Sequence, residues 1–483
     1  MKKNPCNILF ITTDQQRRDS LPCYGLDFVQ TPHLDKIASE GIVFDNCVSA
    51  SPVCQPVRAS FMAGQYPSVT GVTDNFQWLS ADTPTLPQRL REAGVNTAAI
   101  GKMHFYPWDN PQDFEYRVIA EDKRQIYIPD HYTQFLEKNG YTRGHPAVHK
   151  EYRDSLGAMV SPLPEEYHID SFIGAETVKW INSIDNDRPF FSWVSFNSPH
   201  DPYDPPPRLS ELYRDSPIPE IMGSMSDYKN KPAYQNRIIP FFRDNPLFLN
   251  DYSKMTPDIV AKMRRHYYAT ITLIDEWVGK ILSALEEKGL LDSTYIVFSS
   301  DHGDTLGDHG LPYKQTFYEG ALKVPLIIAG PGIPNGRRCE SFVDWLDLHK
   351  TFLTLNGIET AGFEQGIDLS PVLEQPEKII REEAFSELTD CAMVVDKRYK
   401  LVLCSNGEGE LYDLDEKPQE VVNHFNDPAF SKIKESLTQK LMGHFISNNR
   451  VKRFGGGTHP TEQIRINAFD QIRLQISRGD FSD

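Results

Sequence analysis

Short and almost continuously apolar runs, separated by longer helical stretches, are the feature that most constrains this chain. The runs are Ile8–Thr12, Thr97–Ile100, Phe190–Phe196, Tyr295–Ser299 and Val324–Ala329. Such runs are typical of strands buried on both faces, as in a mostly parallel sheet covered by helices. The clearest helix is predicted over 257–288, where apolar residues recur at three- and four-residue steps before Gly289. We therefore predict an α/β fold with a large, mixed, mostly parallel sheet sandwiched by helices.

The pattern changes near residue 370. Residues 392–395, 399–404 and 411–412 resemble short strands of an antiparallel meander, and a helix is predicted at about 428–445. We predict a catalytic domain over 1–370 and a smaller α+β subdomain with an antiparallel sheet, plus a tail, over 371–483. The glycines at 455–457 predict a tail that is flexible or reaches a neighbour, and a homo-oligomer stays open.

The charge balance excludes some classes of partner. The 483 residues include 50 Lys and Arg against 67 Asp and Glu, a formal net charge of -17. A duplex nucleic acid or an anionic membrane surface needs a basic footprint, so we expect neither as a partner. A local basic pocket for a small anion remains compatible with this balance.

The start of the chain and its cysteines bear on compartment. The apolar stretch Ile8–Ile11 is too short for the core of a secretory leader, and no run approaches the roughly 18 apolar residues of a membrane span. Seven cysteines in a long chain favour reduced thiols over a disulfide framework. We expect a cytoplasmic protein as the sequence stands, or a periplasmic or secreted one if a leader was removed.

Polar residues of chemically useful types follow four of the predicted strands. They are Asp14 and Gln15, Lys102 and His104, His200, and Asp301 and His302. An Asp after a strand is usually a helix cap or turn former, and a lone His is more often structural. In open α/β sheets, however, ligands bind beyond the carboxyl ends of the strands. Four such ends predict one shared crevice.

The stretch from Ser51 to Ser60 predicts a helix that begins at Cys54 and stops at Gly64, with Pro56 in its permissive first turn. Arg58 then lies on the same face as Cys54, and a helix N-terminus beside a guanidinium favours an anion. A buried cysteine beside an arginine in a surface ion pair explains this short pattern in isolation equally well.

Three segments together resemble the type I sulfatases of the alkaline phosphatase superfamily. They are Cys54–Gly64 (CQPVRASFMAG), Gly94–His104 (GVNTAAIGKMH) and Ser300–Gly310 (SDHGDTLGDHG) with Lys314 just beyond. Residues 410–414 also resemble the usual C-terminal subdomain of that family. The resemblance implies an alkaline-phosphatase-like fold and a sulfuric ester hydrolase that cleaves a small-molecule, aryl or carbohydrate sulfate.

The resemblance also implies a role for each matching position. Cys54 would be converted by a formylglycine-generating maturation enzyme into the formylglycine (3-oxoalanine) nucleophile. Four residues would hold one divalent cation, namely Asp14, Gln15, Asp301 and His302. Arg58 and Lys102 would stabilise the formylglycine, and His104 would assist its hydroxyl chemistry. His200 and Lys314 would hold the sulfate and protonate the leaving oxygen.

These roles make chemical sense for an anionic ester. One hydroxyl of the hydrated aldehyde would attack sulfur, and the other would expel sulfate and restore the aldehyde. A cation and fixed donors would neutralise the developing charge. Mostly oxygen ligands favour Ca²⁺, which the family usually carries, or Mg²⁺, while one imidazole leaves Mn²⁺ open. The Asp-His-Gly motif is duplicated, and we favour Asp301 over Asp308 because only the first copy directly follows the strand.

Gln15 departs from the two consecutive acids of many sulfatases and resembles the choline sulfatase and phosphonate monoester hydrolase branch. An amide in place of a carboxylate makes the cation site less negative. Phe105, Tyr106 and Trp108 could form a wall for a cation, a sugar or an aryl ring, although such stretches are more often packing. The extended tail typical of choline sulfatases is not recognisable in residues 446–483. Basic residues at 450, 452 and 453 could contact an anionic saccharide, but are more often a solvated face.

Three functions therefore stay open from the sequence. The leading one is a sulfuric ester hydrolase. The second is a phosphonate monoester or phosphodiester hydrolase that uses the same site. The third is a catalytically silent anion-binding protein that keeps the pocket without modification of Cys54.

Overall fold

The computed structural model describes residues 5–224, 231–245, 250–416, 419–454 and 456–458. The strands along these residues are β1 (Asn7–Asp14), β2 (Gly41–Cys47), β3 (Gln77–Leu79), β4 (Asn96–Gly101), β5 (Tyr116–Ile119), β6 (Phe190–Pro199), β7 (Thr294–Ser300), β8 (Leu326–Ala329), β9 (Arg337–Val343), β10 (Glu383–Glu387), β11 (Cys391–Asp396), β12 (Tyr399–Cys404), β13 (Gly409–Asp413) and β14 (Gly456–Thr458).

The α-helices along the same residues are α1 (Pro32–Ser39), α2 (Cys54–Ala63), α3 (Pro67–Thr70), α4 (Leu86–Glu92), α5 (His131–Lys138), α6 (Lys150–Asp154), α7 (Ile169–Ser183), α8 (Pro207–Leu212), α9 (Ala233–Asn236), α10 (Ile238–Asp244), α11 (Pro257–Glu287), α12 (Glu319–Leu322), α13 (Trp345–Leu355), α14 (Ser370–Glu374) and α15 (Ser431–Asn448).

A mixed sheet of eight strands forms the centre of the larger unit. Its order is β5-β4-β6-β1-β7-β8-β2-β9. The first five strands of that order run parallel, β8 is antiparallel to both of its neighbours, and β2 pairs with β9 in parallel. The predicted α/β class and its mostly parallel sheet are confirmed, and each of the five apolar runs forms a strand.

Alternate residues of β1 show why the strands are apolar on both faces. Leu9 and Ile11 pack in one core, which also contains residues of α1, α7 and α11. Ile8 and Phe10 pack in a second core on the opposite face, with residues of α2 and α13. Because each face of the sheet is covered by helices, no strand position in β1 between residues 8 and 13 meets solvent.

The smaller unit is an antiparallel sheet in the order β10-β11-β12-β13, as predicted. One face of this sheet packs under α15, through Val394, Leu401 and Leu437, while Met393 and Val402 pack against the larger unit. The predicted helix at 428–445 begins instead at Ser431, because Pro428–Phe430 forms a short 3₁₀ turn. The division at residue 370 stays a prediction, since Val372 and Leu373, just beyond it, pack in the same second core of the larger unit as Leu369.

The end of the described chain lies beside the larger unit, where β14 pairs antiparallel with β3. The remainder of the predicted tail, residues 459–483, lies outside the described residues. In the basic run before it, Arg453 donates a hydrogen bond to Asn449 and the Lys452 ammonium lies over the Phe454 ring. None of the helices described here combines the length and the apolar character that a membrane crossing requires.

Gly101, the last residue of β4, has no room for a side chain. Its φ is +104°, and a Cβ atom there would lie 2.0 Å from the backbone oxygen of Ser195 on β6. Gly94 also has a positive φ, of +87°, but a Cβ atom there would meet nothing within 4 Å. The close approach of β4 to β6, and not only the backbone conformation, therefore requires glycine at position 101.

We expect Gly101→Ala to lower the melting temperature clearly more than Gly94→Ala. Both variants place an L-residue in a left-handed conformation, at about 1 kcal/mol each, but only the first forces two strands apart. Thermal unfolding followed by circular dichroism compares them. Equal losses for the two variants would contradict the close approach of the strands.

Candidate active site at the carboxyl ends of the strands

The loops that follow β4, β6, β1 and β7 meet because these strands are neighbours and run parallel. Lys102 follows β4, and its Nζ lies 2.8 Å from Oδ2 of Asp14 at the end of β1. His200 follows β6, with Nε2 4.0 Å from Oδ1 of Asp14. His302 follows β7, with Nε2 3.9 Å from the same oxygen. The shared crevice predicted from the four strand ends is present, and Asp14 lies at its centre.

Helix α2, which lies between β2 and β3 in the sequence, brings Cys54 to this crevice. The helix begins at Cys54 and ends where Gly64 adopts a left-handed conformation, as predicted. The Cys54 Sγ lies 3.1 Å from Nε2 of His302 and 2.9 Å from Nζ of Lys314. Burial, reinforced by the Asp14 carboxylate, raises the pKa of the Cys54 thiol to about 11. An unmodified thiol here is therefore protonated near neutral pH and is a poor nucleophile.

Arg58, one turn further along α2, is completely buried between two carboxylates. Its Nε donates to Oδ2 of Asp301 at 2.9 Å, and its Nη2 lies 3.3 Å from Oδ2 of Asp14. Its Nη1 donates to the Lys102 backbone oxygen and to Oγ of Ser195. The alternative of a surface ion pair is thus wrong for Arg58, whose guanidinium links α2 to three strand ends.

Five side chains offer ligand atoms for a divalent cation. Ligand atoms of Asp14, Cys54, Asp301 and His302 all lie within 4.8 Å of one another, and all four residues are buried. Oε1 of Gln15 is also buried and has no hydrogen-bond partner among the described residues. A carboxylate pair, a free amide oxygen and one imidazole are a donor set that a hard divalent cation accepts. The residues present therefore fit such a cation.

The protonation states of this group suit cation binding. Burial by itself raises the pKa of Asp14, but Lys102 and the other nearby cations hold it well below the usual range. Burial lowers the pKa of His302 to about 3, although the Asp301 carboxylate opposes that shift. The carboxylate is thus charged and the imidazole neutral, the forms in which both residues ligate metals.

His104 and His200 lie at the same crevice in neutral form. Burial lowers the pKa of both imidazoles, and Lys102 adds to the effect on each. Neither ring nitrogen of His104 has a hydrogen-bond partner within the part of the chain that the structure describes. Nδ1 of His200 lies 2.9 Å from the backbone oxygen of Asp201. His104 is therefore available to exchange a proton with a group in the cleft.

The second Asp-His-Gly copy lies apart from the buried group. Asp308 is held by Arg17 at 2.7 Å and by Arg264 at 2.6 Å. The His309 ring stacks on Tyr318 with 3.8 Å between ring centroids. These contacts give Asp308 a structural role, whereas Asp301 and His302 reach Asp14 and Arg58.

Sequence reasoning missed Asp122 and Arg124, which follow β5. Oδ2 of Asp122 lies 3.0 Å from both Nζ of Lys102 and Nη2 of Arg124, and Arg124 Nη2 lies 3.3 Å from Nε2 of His200. The available signal was the same as for the other strands, polar residues after an apolar run. That signal is weak here because β5 is only four residues long and includes Tyr116 and Arg117, so it does not stand out as an apolar run.

A cleft of 670 Å³ opens above Cys54, His104, His200 and Lys314. The aromatic residues predicted as a wall, Phe105, Tyr106 and Trp108, all line it. Phe105 also packs on Phe114 of the second core, so it serves packing and lining together. The smaller unit contributes residues 388–391 to the lining of the same cleft. The sequence of that unit shows no group of candidate catalytic residues, yet its residues form part of the cleft surface.

Comparison with known proteins places this geometry in a family. Residues 6–358 match the family model described as Sulfatase, and residues 307–446 match the one described as N-sulphoglucosamine sulphohydrolase, C-terminal. The chain is 33% identical to a choline-sulfatase of Rhizobium meliloti over 89% of this chain and 85% of that protein. It is 30% identical to an arylsulfatase of Clostridium perfringens, over 90% of this chain and 94% of that protein.

A solved structure is similar over almost the whole fold. The phosphonate monoester hydrolase of Agrobacterium radiobacter has a TM-score of 0.82 and 24% identity, and covers 92% of this chain and 96% of its own. This likeness establishes the arrangement of the sheets and helices described above.

We expect Asp301→Asn to weaken the binding of Ca²⁺ and Mn²⁺ strongly, because the substitution removes a charged ligand atom from the buried group. Asp308→Asn is the matched control in the second motif copy. It removes the carboxylate charge that faces Arg264 and one of the two acidic partners of Arg17, which keeps Asp19, and should lower the melting temperature while cation affinity persists. Calorimetric titration of the metal-free proteins measures both. Normal affinity in Asp301→Asn would move the cation site elsewhere.

Proposed function

The chain belongs to the sulfatase family and is a sulfuric ester hydrolase, and on that premise we propose that it cleaves a sulfate monoester through a formylglycine made from Cys54. The observation that carries this proposal is the position of Cys54. It lies at the start of a helix, against His302 and Lys314, and at the floor of an open cleft. A catalytically silent anion-binding protein would not require this complete set of ionisable groups around one side chain.

The thiol of Cys54 stands in for the hydroxyl oxygens of a hydrated formylglycine. Its raised pKa makes the unmodified side chain a poor nucleophile, which supports modification. Cys54 is 1% exposed in the folded chain. A formylglycine-generating maturation enzyme would therefore act on this segment before the chain folds around it.

Asp14, Gln15, Asp301 and His302 would hold the divalent cation, which we propose is Ca²⁺ because three of the four side chains offer oxygen. Mg²⁺ and Mn²⁺ fit the same donors less fully. Bound there, the cation would supply positive charge opposite the oxygens of the sulfate ester. Arg58 holds Asp14 and Asp301 apart in a fixed geometry, so the ligand oxygens are oriented before the cation arrives.

The other residues would bind the ester and move protons. Arg58 and Lys102 fix positive charge beside residue 54 and stabilise its reactive form. His104, neutral and with both ring nitrogens unpartnered among the described residues, accepts or returns the proton of the hydroxyl on residue 54. His200 and the Lys314 ammonium hold the sulfate oxygens, and one of them donates a proton to the leaving oxygen.

The leaving alcohol would occupy the cleft between the aromatic wall and the smaller unit. Its 670 Å³ accommodate a small-molecule, aryl or carbohydrate sulfate. The relatives include proteins named choline-sulfatase and arylsulfatase, so both ester types are appropriate first substrates.

One observation supports a second candidate, a phosphonate monoester or phosphodiester hydrolase. Gln15 contributes a neutral amide where a second carboxylate would make the cation site more negative. A less negative site suits a substrate whose reacting group carries more charge. The same nucleophile and cation would serve both reactions.

We expect Cys54→Ala to lower the turnover of an aryl sulfate by at least about three orders of magnitude, because the nucleophile is lost. Cys23→Ala, which changes a cysteine outside the buried group, is the control and should retain turnover. The melting temperatures of both variants establish that they fold. Mass spectrometry of the peptide that contains residue 54 should find the aldehyde in the active protein. Substantial activity in Cys54→Ala, or full activity with an unmodified thiol, would contradict the proposed nucleophile.

A further inference from the structure

The amide of Gln15 is oriented by Asp304, a residue of the Ser300–Gly310 segment to which the sequence analysis assigned no role. Nε2 of Gln15 donates to Oδ2 of Asp304 at 2.5 Å. The opposite end of the amide, Oε1, is buried without a hydrogen-bond partner among the residues that the structure describes. Both residues are fully buried. The amide thus presents its nitrogen to Asp304 and leaves its oxygen available to bind a cation.

The orientation of this amide decides whether Gln15 can hold a cation. The oxygen of an amide ligates a hard cation, whereas the NH₂ group offers only donors and repels it. The backbone of Gln15 is held on both sides: its N–H donates to Oδ1 of Asp301, and its carbonyl accepts the Tyr267 hydroxyl. With the backbone fixed at φ +70°, the rotation of the side-chain amide decides whether its oxygen or its NH₂ group faces the cation site.

The hydrogen bonds that Asp304 accepts from its other neighbours determine which end of the Gln15 amide faces it. The carboxylate also accepts the Tyr203 hydroxyl at 2.7 Å on Oδ2 and the backbone N–H of Leu306 at 2.9 Å on Oδ1. All of these contacts donate to the carboxylate. Gln15 must therefore direct its NH₂ group toward Asp304, and its oxygen points the other way.

We propose that Asp304 is a positioning residue, which sets the amide oxygen of Gln15 as a cation ligand without contacting the cation or substrate. The proposal rests on the cation site of the proposed function. It assigns a reason for the acid that follows Asp301-His302-Gly303. Partners behind a ligand commonly change metal affinity by about 10–100-fold when they are removed.

Asp304→Asn tests this orientation directly. The backbone N–H of Leu306 still needs an acceptor, so the oxygen of the introduced asparagine stays there and its NH₂ group faces Gln15. The amide of Gln15 then turns to accept from that NH₂ group and presents its own NH₂ group to the cation site. We expect the Kd for Ca²⁺ of metal-free Asp304→Asn, measured by calorimetry, to rise at least tenfold.

The double variant Gln15→Glu/Asp304→Asn, which exchanges the positions of the amide and the acid, should restore Ca²⁺ binding. It keeps the summed charge of the pair, and the NH₂ group of the introduced asparagine donates to one oxygen of the introduced glutamate while the other oxygen faces the cation. Tyr203→Phe is the structural control. It removes a hydrogen bond from the same Asp304 oxygen but leaves the Gln15 contact, so it should lower the melting temperature and change the Kd less than about threefold, on the order of experimental scatter.

The outcomes separate this inference from the proposed function. Recovery of Ca²⁺ affinity in the double variant, with weak binding in Asp304→Asn alone, supports the positioning role. Unchanged affinity in Asp304→Asn overturns it and leaves the cation site intact. Equally weak binding in the double variant, or an equal loss in Tyr203→Phe, also overturns it. Absence of cation binding by the wild-type protein would overturn the cation site and with it the proposed function.

Discussion

The interaction on which the rest of the site depends is the buried contact of Arg58 with Asp14 and Asp301. Two buried carboxylates at the ends of adjacent strands would repel each other, and the Arg58 guanidinium contacts both while the Lys102 ammonium adds a second positive charge beside Asp14. Removal of one partner from such a pair commonly costs about 3–5 kcal/mol. The same guanidinium donates to the backbone of Lys102, so it also ties α2 to β4. The start of α2, with Cys54, is held against the cation ligands by this contact.

The sheet order makes that contact available. Because β1 lies between β6 and β7, the residues that follow it are at the middle of the crevice, and loops from 102 to 314 converge on Asp14. Asp14 is then surrounded by three positive groups, Lys102, Arg58 and Lys314, and Arg58 also contacts Asp301. Their arrangement keeps the Asp14 carboxylate charged and the nearby imidazoles neutral. A site of this kind is prepared for an anion before the substrate arrives, which is the condition for electrostatic stabilisation of the reaction.

Most of this architecture could be predicted from local pattern. Continuous apolar runs identified β1, β4, β6, β7 and β8, and the polar residues after four of them reached the same crevice. The places of Asp122 and Arg124 in the site could not be predicted in this way because β5 is short and partly polar. Asp304 escaped because its role depends on which end of the Gln15 amide it contacts, which no spacing records. The wall at 388–391 depends on how the antiparallel sheet docks on the larger unit, a matter of tertiary packing through residues such as Met393 and Val402.

We propose that this site hydrolyses sulfate esters in preference to the phosphorus esters that the same nucleophile and cation could also serve. Turnover of an aryl sulfate, the matching aryl phosphonate and the matching phosphodiester, compared by kcat/KM on protein whose residue 54 is confirmed as formylglycine, tests it most directly. We expect a clear preference for the sulfate. A higher kcat/KM for either phosphorus ester would contradict it and make the neutral Gln15 ligand the feature that defines the enzyme.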